Sequence, residues 1–412
     1  MKNKSAKVHI VGAGISGLIA AKTLEAKGYS PVLLEATDSP GGRVKTDTID
    51  GVLYDHGFQV LLTAYPQAQK HLDYDTLHLK QFKPGALIFK NGNKQRIGDP
   101  LRDISALWPT LFATVGSVGD KLKIFKLTRH LKKKSIAEIF SSKEQSTLAY
   151  LKGFGFSDRI MTNFFRPFFT GIFLEEELKT SSRLFEFVFK MFGEGYAAVP
   201  QKGIGAISTQ LVDQLKKSEF RYDTKVVRVE AGLITLADGE VLPSDATLVT
   251  VPLHPKTGTI DMGSVNWKSC DNLYFTVDTH TFEAGIIGLV ADENALINNL
   301  YYPFEQKAGG DPVLSVTVVK AHELNEDDLV KKVCEELQLH CGIAAKSFLK
   351  KYTIQRALPD TTQLQMQLSS DRAKVSDGIF RAGDYILSGS LNAAMASGEA
   401  AAHTLAADLE LI

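Results

Sequence analysis

"VHIVGAGISGLIAAKTLEAKGYSPVLLEA" (residues 8–36) is the stretch on which the reading of this chain turns. Val8–Val11 is a short apolar run suited to a buried parallel strand, and Gly12-Ala13-Gly14-Ile15-Ser16-Gly17 follows at once. A helical pattern then carries Leu18, Ile19 and Leu24 up to Gly28, a natural helix stop. Pro31–Leu34 reads as a second buried strand that ends on Glu35. A lone GxGxxG means little. Set between a strand and a helix, with an acid 18 residues past its last glycine, it marks a dinucleotide-binding βαβ unit. Gly12 permits the tight turn, Gly14 lets the backbone approach a pyrophosphate, and Gly17 lets helix and strand pack closely. Ala13, Ile15 and Ser16 belong to the same cofactor contact, where phosphates meet free N–H groups at a helix N-terminus. Glu35, with Ala36 beside it, can accept hydrogen bonds from a ribose diol. Its charge would repel a 2′-phosphate, which argues for FAD or NAD over NADP.

The rest of the composition bounds the function classes. The 412 residues suffice for two or three domains, and 44% hydrophobic with 23% charged residues is a globular composition. Lys+Arg and Asp+Glu balance at 47 each, so no charge excess favours nucleic acid. Cys270, Cys334 and Cys341 form no CxxC pair and no cluster with histidine, so reduced thiols are expected and no metal. The first apolar run is itself the glycine motif, so no signal peptide is expected, and no stretch reaches the ~18 apolar residues of a membrane span. A cytoplasmic protein is the expectation.

Six residues after Glu35 comes Gly41-Gly42-Arg43-Val44, followed by "YDHGFQVLLTAYP" (residues 54–66). With these residues the chain resembles the FAD-dependent amine oxidase and phytoene desaturase superfamily, most of all its plant and cyanobacterial phytoene desaturase branch. The resemblance implies that Gly41, Gly42 and Arg43 reach the pyrophosphate, and that Gly57, Phe58 and Gln59 pass beside the isoalloxazine ring. It also implies the fold class: α/β, with a glutathione-reductase-type FAD-binding Rossmann domain discontinuous in sequence, an α+β substrate domain and a helical cap.

The chain divides accordingly. The FAD domain is expected at 1–75, 196–255 and 372–412. Residues 76–195 carry helical periodicity, few strand signals and phenylalanine clusters such as "TNFFRPFFTGIFL" (residues 162–174), and form the expected cap. Residues 222–252 read as successive short strands, whose first would lay Val226 against the adenine by resemblance. Residues 256–371 alternate strand-like runs with one helical run, "EDDLVKKVCEELQL" (residues 326–339), and form the expected mixed sheet.

"RAGDYILSGSLNAAMASGEAAA" (residues 381–402) resembles the superfamily's C-terminal flavin motif. By that resemblance Gly383-Asp384 ends a strand, and Asp384 holds the ribityl chain or a phosphate. A helix from about Leu391, with Asn392 and Ala394 in its first turn, aims its positive end at the flavin. Small residues let that helix lie close to the first βαβ unit.

The implied cofactor is FAD, non-covalent because no cysteine follows Cys341. The expected reaction takes a hydride from an apolar, polyene-like substrate to flavin N5 by C–C oxidation, with O2 or a quinone as electron acceptor. The alternatives are an amine or protoporphyrinogen-like oxidase using O2, and a flavin-binding protein without turnover. No acid–base pair stands out by spacing. His56 and Gln59 are the catalytic candidates, with Tyr65 and Arg166 behind them, and Lys268 stands near the lysine position of amine oxidases. The basic run "DKLKIFKLTRHLKKKS" (residues 120–135) places Ile124, Leu127 and Leu131 on one helical face. That face is expected on the core, with peripheral membrane contact as the alternative.

Overall fold

The computed structural model describes residues 5–98, 115–304, 309–361 and 364–411. Residues 1–4, 99–114, 305–308, 362–363 and 412 of the expected domains lie outside it. Val8–Val11 is buried at all four positions, as an inner strand of a parallel sheet must be. It lies inside a six-stranded sheet ordered Glu219–Arg221, Val32–Leu34, Val8–Val11, Ala246–Val249, Ile379–Arg381 and Lys374–Ser376. The first five strands are parallel and the last pairs antiparallel at the edge. The helix Ile15–Ala26 makes the first crossover, and the terminal helix Leu391–Leu409 lies directly on it. A three-stranded meander, Val226–Glu230, Leu233–Leu236 and Val241–Pro243, interrupts the domain where short strands were expected.

The second sheet has seven strands, ordered Ala345–Pro359, Trp267–Val277, Val313–Val318, Ile297–Tyr301, Ile287–Val290, Gly85–Lys90 and Asn93–Gly98. The last two correct the expectation of a cap with few strands from residue 76 onward. Their hairpin turns on Asn91-Gly92, both at positive φ (50° and 72°), the asparagine–glycine turn that favours a two-residue hairpin. Among the described residues beyond them the cap is helical, from Val118–Lys133 to Ser182–Glu194.

Alternation gives this sheet two unlike faces. Leu273, Phe275, Leu300, Leu314 and Val316 pack under the helix Glu326–Glu336 through Leu329 and Val333. The opposite face carries Asn272 and Tyr274, which register against Thr317 and Ser315, and these against Asn299 and Tyr301. The buried amides and hydroxyls of Asn272, Ser315, Thr317 and Asn299 on it bond to one another. Asn272 Nδ2 donates to Ser315 Oγ (3.2 Å), Thr317 Oγ1 to Asn272 Oδ1 (3.0 Å) and Asn299 Nδ2 to Thr317 Oγ1 (3.2 Å). Tyr274 Oη donates to the Asp55 carbonyl at 2.9 Å, which docks this face on the nucleotide domain.

The cap is pinned by one buried carboxylate. Asp120 is completely buried at the start of the helix Val118–Lys133. It accepts from Ser117 N (2.8 Å), Ser117 Oγ (2.7 Å), Ser157 N (3.0 Å) and Ser157 Oγ (2.6 Å). Burial alone would raise its pKa, but these bonds outweigh it and hold the carboxyl down at about 2. Asp120→Ala should therefore cost about 2–3 kcal/mol in denaturant unfolding at neutral pH. The contribution is present above the unfolded carboxylate's pKa of 3.8 and is lost as pH falls toward about 2. Over that window the wild type should lose stability that the variant no longer has to lose.

Candidate functional site

The glycine turn is built for close approach. Gly12 has φ 97°, and its N–H donates to the Leu34 carbonyl at 2.8 Å. A Cβ on Gly17 would collide with the Gly12 carbonyl oxygen, so the helix Ile15–Ala26 can sit this tightly only with glycine there. Ile15, Ser16 and Gly17 form its first turn, which carries no side-chain cap and no acidic residue, leaving the helix's positive end for an anion.

The Gly-Gly-Arg turn closes over it. Gly41 N donates to the Ala13 carbonyl at 2.9 Å. Gly14 and Gly42 face each other without side chains. A Cβ on Gly42 would stand 3.3 Å from Gly14 Cα, and one on Gly14 would stand 3.9 Å from Gly42 Cα. The two bare backbones pack in contact beside an uncapped helix end, a surface without side chains that fits the approach of a pyrophosphate, and the remaining groups fit the rest of a dinucleotide. Glu35 is buried and accepts from Ala13 N (2.8 Å), Thr37 N (3.0 Å) and Thr37 Oγ1 (2.9 Å). Of its four acceptor sites one, on Oε2, is left for a ribose hydroxyl. Ala36 beside it is exposed. Val226 packs with Val11 and Leu34, and Thr224 N donates to the Glu35 carbonyl at 2.8 Å, so the meander's first strand stands beside Glu35.

Both ends of the chain meet at Arg43. Its guanidinium donates to Asp384 Oδ1 at 2.5 Å and to the Ala357 carbonyl at 3.2 Å, and it lies 5.3 Å from the centre of the Trp267 ring. Asp384 itself is buried. Behind it Gly383, at φ 140°, donates from N to Ser397 Oγ at 3.0 Å. The terminal helix starts at Leu391, capped by Ser390 Oγ on Ala393 N. Asn392 Oδ1 accepts from Gln67 N (3.1 Å), and the Ala394 carbonyl accepts from Ser16 Oγ (2.9 Å). A Cβ on Gly398 would collide with the Ser16 carbonyl oxygen.

The residues singled out for catalysis have other work. His56 stacks on Tyr352 (4.4 Å between ring centres), and its Nε2 lies 2.9 Å from Asp47 Oδ1, though off the hydrogen-bond line. Gln59 Nε2 donates to the Arg43 carbonyl (2.7 Å) and the His56 carbonyl (3.1 Å), clamping two turns together. Gly57, at φ 89°, carries the chain past them, and a Cβ there would lie 3.5 Å from Ile354 Cδ1. Tyr65 is buried, with its ring 5.7 Å from that of Phe187, and burial raises its pKa. Arg166 lines a separate cavity of about 200 Å³ with Thr162, Glu176, Asn298 and Lys320. Lys268 Nζ lies 3.4 Å from both Asp360 Oδ1 and Thr180 Oγ1.

Phe58 points elsewhere. Its ring lies 4.5 Å from Tyr301 and 6.0 Å from Phe82, and Phe82 lies 5.0 Å from Phe304. Trp267 and Tyr352 were missed from sequence, because the contacts that bring them here, with Arg43 and with His56 and Asp47, join residues hundreds of positions apart.

All three cysteines are free thiols whose pKa burial raises. Burial, with Asp271 beside one and Asp292 beside the other, pushes the Cys270 and Cys341 thiols up to about 12. Among the described residues no group of three His, Cys, Asp or Glu side chains could hold a metal, and no helix is long and apolar enough to cross a membrane.

The family profile "Flavin containing amine oxidoreductase" matches residues 15–406. A chloroplastic/chromoplastic 15-cis-phytoene desaturase of an Oncidium hybrid cultivar is 37% identical over 93 residues, 22% of this chain and 16% of that protein. Protoporphyrinogen oxidase 2 of Arabidopsis thaliana is 35% identical over 78 residues, 19% of this chain and 15% of that protein. The chain thus aligns with about a sixth of the length of these relatives. An oxidoreductase structure from Methanosarcina mazei superposes with a TM-score of 0.72 at 16% identity, covering 95% of this chain and 98% of that one, a likeness of fold.

Proposed function

We propose a substrate class from a plain premise: this chain belongs to the family of flavin-containing amine oxidoreductases. It is an oxidoreductase, and its family implies FAD. The finer reading is that it takes a hydride from an apolar, polyene-like substrate, as in C–C desaturation, with FAD held non-covalently and reoxidised by O2 or a quinone.

FAD, when bound, supplies the hydride acceptor. The chain's part is to bind and orient. Gly12–Gly17 and Gly41–Arg43 would hold the pyrophosphate, Glu35 the ribose, Val226 the adenine and Asp384 the ribityl side. The N-terminus of the helix Leu391–Leu409 would face the flavin and favour negative charge there.

The observation that carries the substrate class is the cluster of aromatic rings Phe58, Phe82, Tyr301 and Phe304, with Phe82 and Tyr301 buried and Phe58 and Phe304 half-buried at its edge. Phe58 adjoins Gln59, which is bonded to the Arg43 carbonyl, so this cluster begins where the cofactor cradle ends. Rings of this kind bind hydrocarbon by area. Lys268, the residue nearest an amine-oxidase lysine, is held by Asp360 and Thr180, which also weakens an amine reading.

Anaerobic titration tests it. Bleaching of the flavin spectrum by a detergent-dispersed polyene, with none by simple amines, is the expected result. Bleaching by simple amines, or hydrogen peroxide release with them once air is admitted, would overturn the substrate class. A tetrapyrrole-like substrate oxidised with O2 is the second reading, favoured by the match to protoporphyrinogen oxidase 2.

A further inference from the structure

We infer that the outer face of the helix Val118–Lys133 docks this protein on an anionic lipid surface. The inner face of that helix is spent on the fold. Leu127 and Leu131 are fully buried, and the helix packs against Ser182–Glu194. That is the face the sequence marked as apolar, and it is not available to a membrane.

A second apolar stripe points the other way. Val118 is 70% exposed, Leu122 67% and Phe125 51%. At 100° per residue these three lie within an arc of about 60°. The same helix carries Lys121, Lys123, Lys126, Arg129, Lys132 and Lys133 against a single acid, Asp120, which is buried in its cap. An apolar strip edged with cations is the pattern of a helix lying in a bilayer interface. Charge also chooses the occupant. A second copy of this chain would bring the same cations into opposition, whereas anionic headgroups would be attracted.

The platform is rigid. Asp120 ties its N-terminal end to Ser157. At the other end Lys190 Nζ donates to the carbonyls of Leu131 (3.0 Å) and Lys132 (3.2 Å), and Lys134 pairs with Glu186 at 2.6 Å. The stripe is therefore presented in a fixed orientation, with no ordering cost on binding. This inference is independent of the substrate class.

The test is co-sedimentation of the full flavin-loaded chain with phosphatidylcholine vesicles, with and without phosphatidylglycerol. Binding should require the anionic lipid and weaken with salt. Leu122→Glu/Phe125→Glu and, separately, Lys126→Glu/Arg129→Glu should each weaken it at least about tenfold. Leu339→Glu, at a residue 69% exposed elsewhere on the surface, should leave it unchanged. All replaced residues are exposed, so the variants should keep the wild-type melting temperature. Should the apolar pair fail to fold, the charge-reversal pair carries the test. Wild-type failure to bind, equal binding to neutral vesicles, or undiminished binding by folded variants would overturn the inference. So would self-association in solution that Leu122→Glu/Phe125→Glu abolishes.

Discussion

Gly14→Ala should give a folded protein without flavin. The backbone at Gly14 (φ −72°, ψ 179°) is one that any residue adopts. A Cβ there meets no protein atom closer than Gly42 Cα at 3.9 Å, so the apo fold should change by no more than about 0.5 kcal/mol. The methyl group nevertheless stands at the uncapped start of the helix Ile15–Ala26, where the cofactor's phosphates must approach the backbone. Flavin affinity should fall about a hundredfold, the equivalent of losing two well-placed hydrogen bonds. Flavin content after purification, and the melting temperature of the apoprotein, read the two effects separately. Wild-type flavin content in the variant would mean that the phosphates lie elsewhere.

Gly398→Ala should do the opposite and damage fold and cofactor binding together. A Cβ at Gly398 would strike the Ser16 carbonyl oxygen and lie 3.0 Å from its carbon, both of them backbone atoms that no rotamer change can move. The two helices would have to separate along their seam. That seam includes the bond from Ser16 Oγ to the Ala394 carbonyl, and Ser397 beside it also accepts from Gly383 N. Overpacking against fixed backbone costs about 3 kcal/mol or more, and the loss should appear as a lower midpoint in denaturant. Because the shift also moves Asp384 and the start of the terminal helix, flavin binding should fall with it. A variant as stable as the wild type would show that the helices are not held in this contact.

These two glycines also mark how far the sequence could be read. The βαβ unit was legible because its signals are local: a buried strand, GxGxxG, a helix and an acid lie within 28 residues (8–35). The strand pair at 85–98 was equally local, announced by Asn91-Gly92, but phenylalanine-rich helical periodicity around it drew the boundary wrongly. The bond between Arg43 and Asp384 spans 341 residues, and that between Tyr352 and Asp47 spans 305, so no spacing rule reaches them. The polar row of Asn272, Thr317 and Asn299 exists only once three strands are in register. The helix Val118–Lys133 was half legible for another reason. Its face of Ile124, Leu127 and Leu131 was legible as the core side, and Leu127 and Leu131 are buried there, but the stripe of Val118, Leu122 and Phe125 lies among lysines and was not read as apolar.

The most direct test of the account is a visible absorption spectrum of the purified protein, repeated on the supernatant after heat denaturation. The account predicts the two bands of an oxidised flavin, and their complete transfer to the supernatant as free FAD. Bands that stay with the precipitate would contradict non-covalent binding. A colourless protein that added FAD cannot restore would contradict the cofactor itself, and would leave the meeting of Arg43, Asp384 and the terminal helix as packing alone.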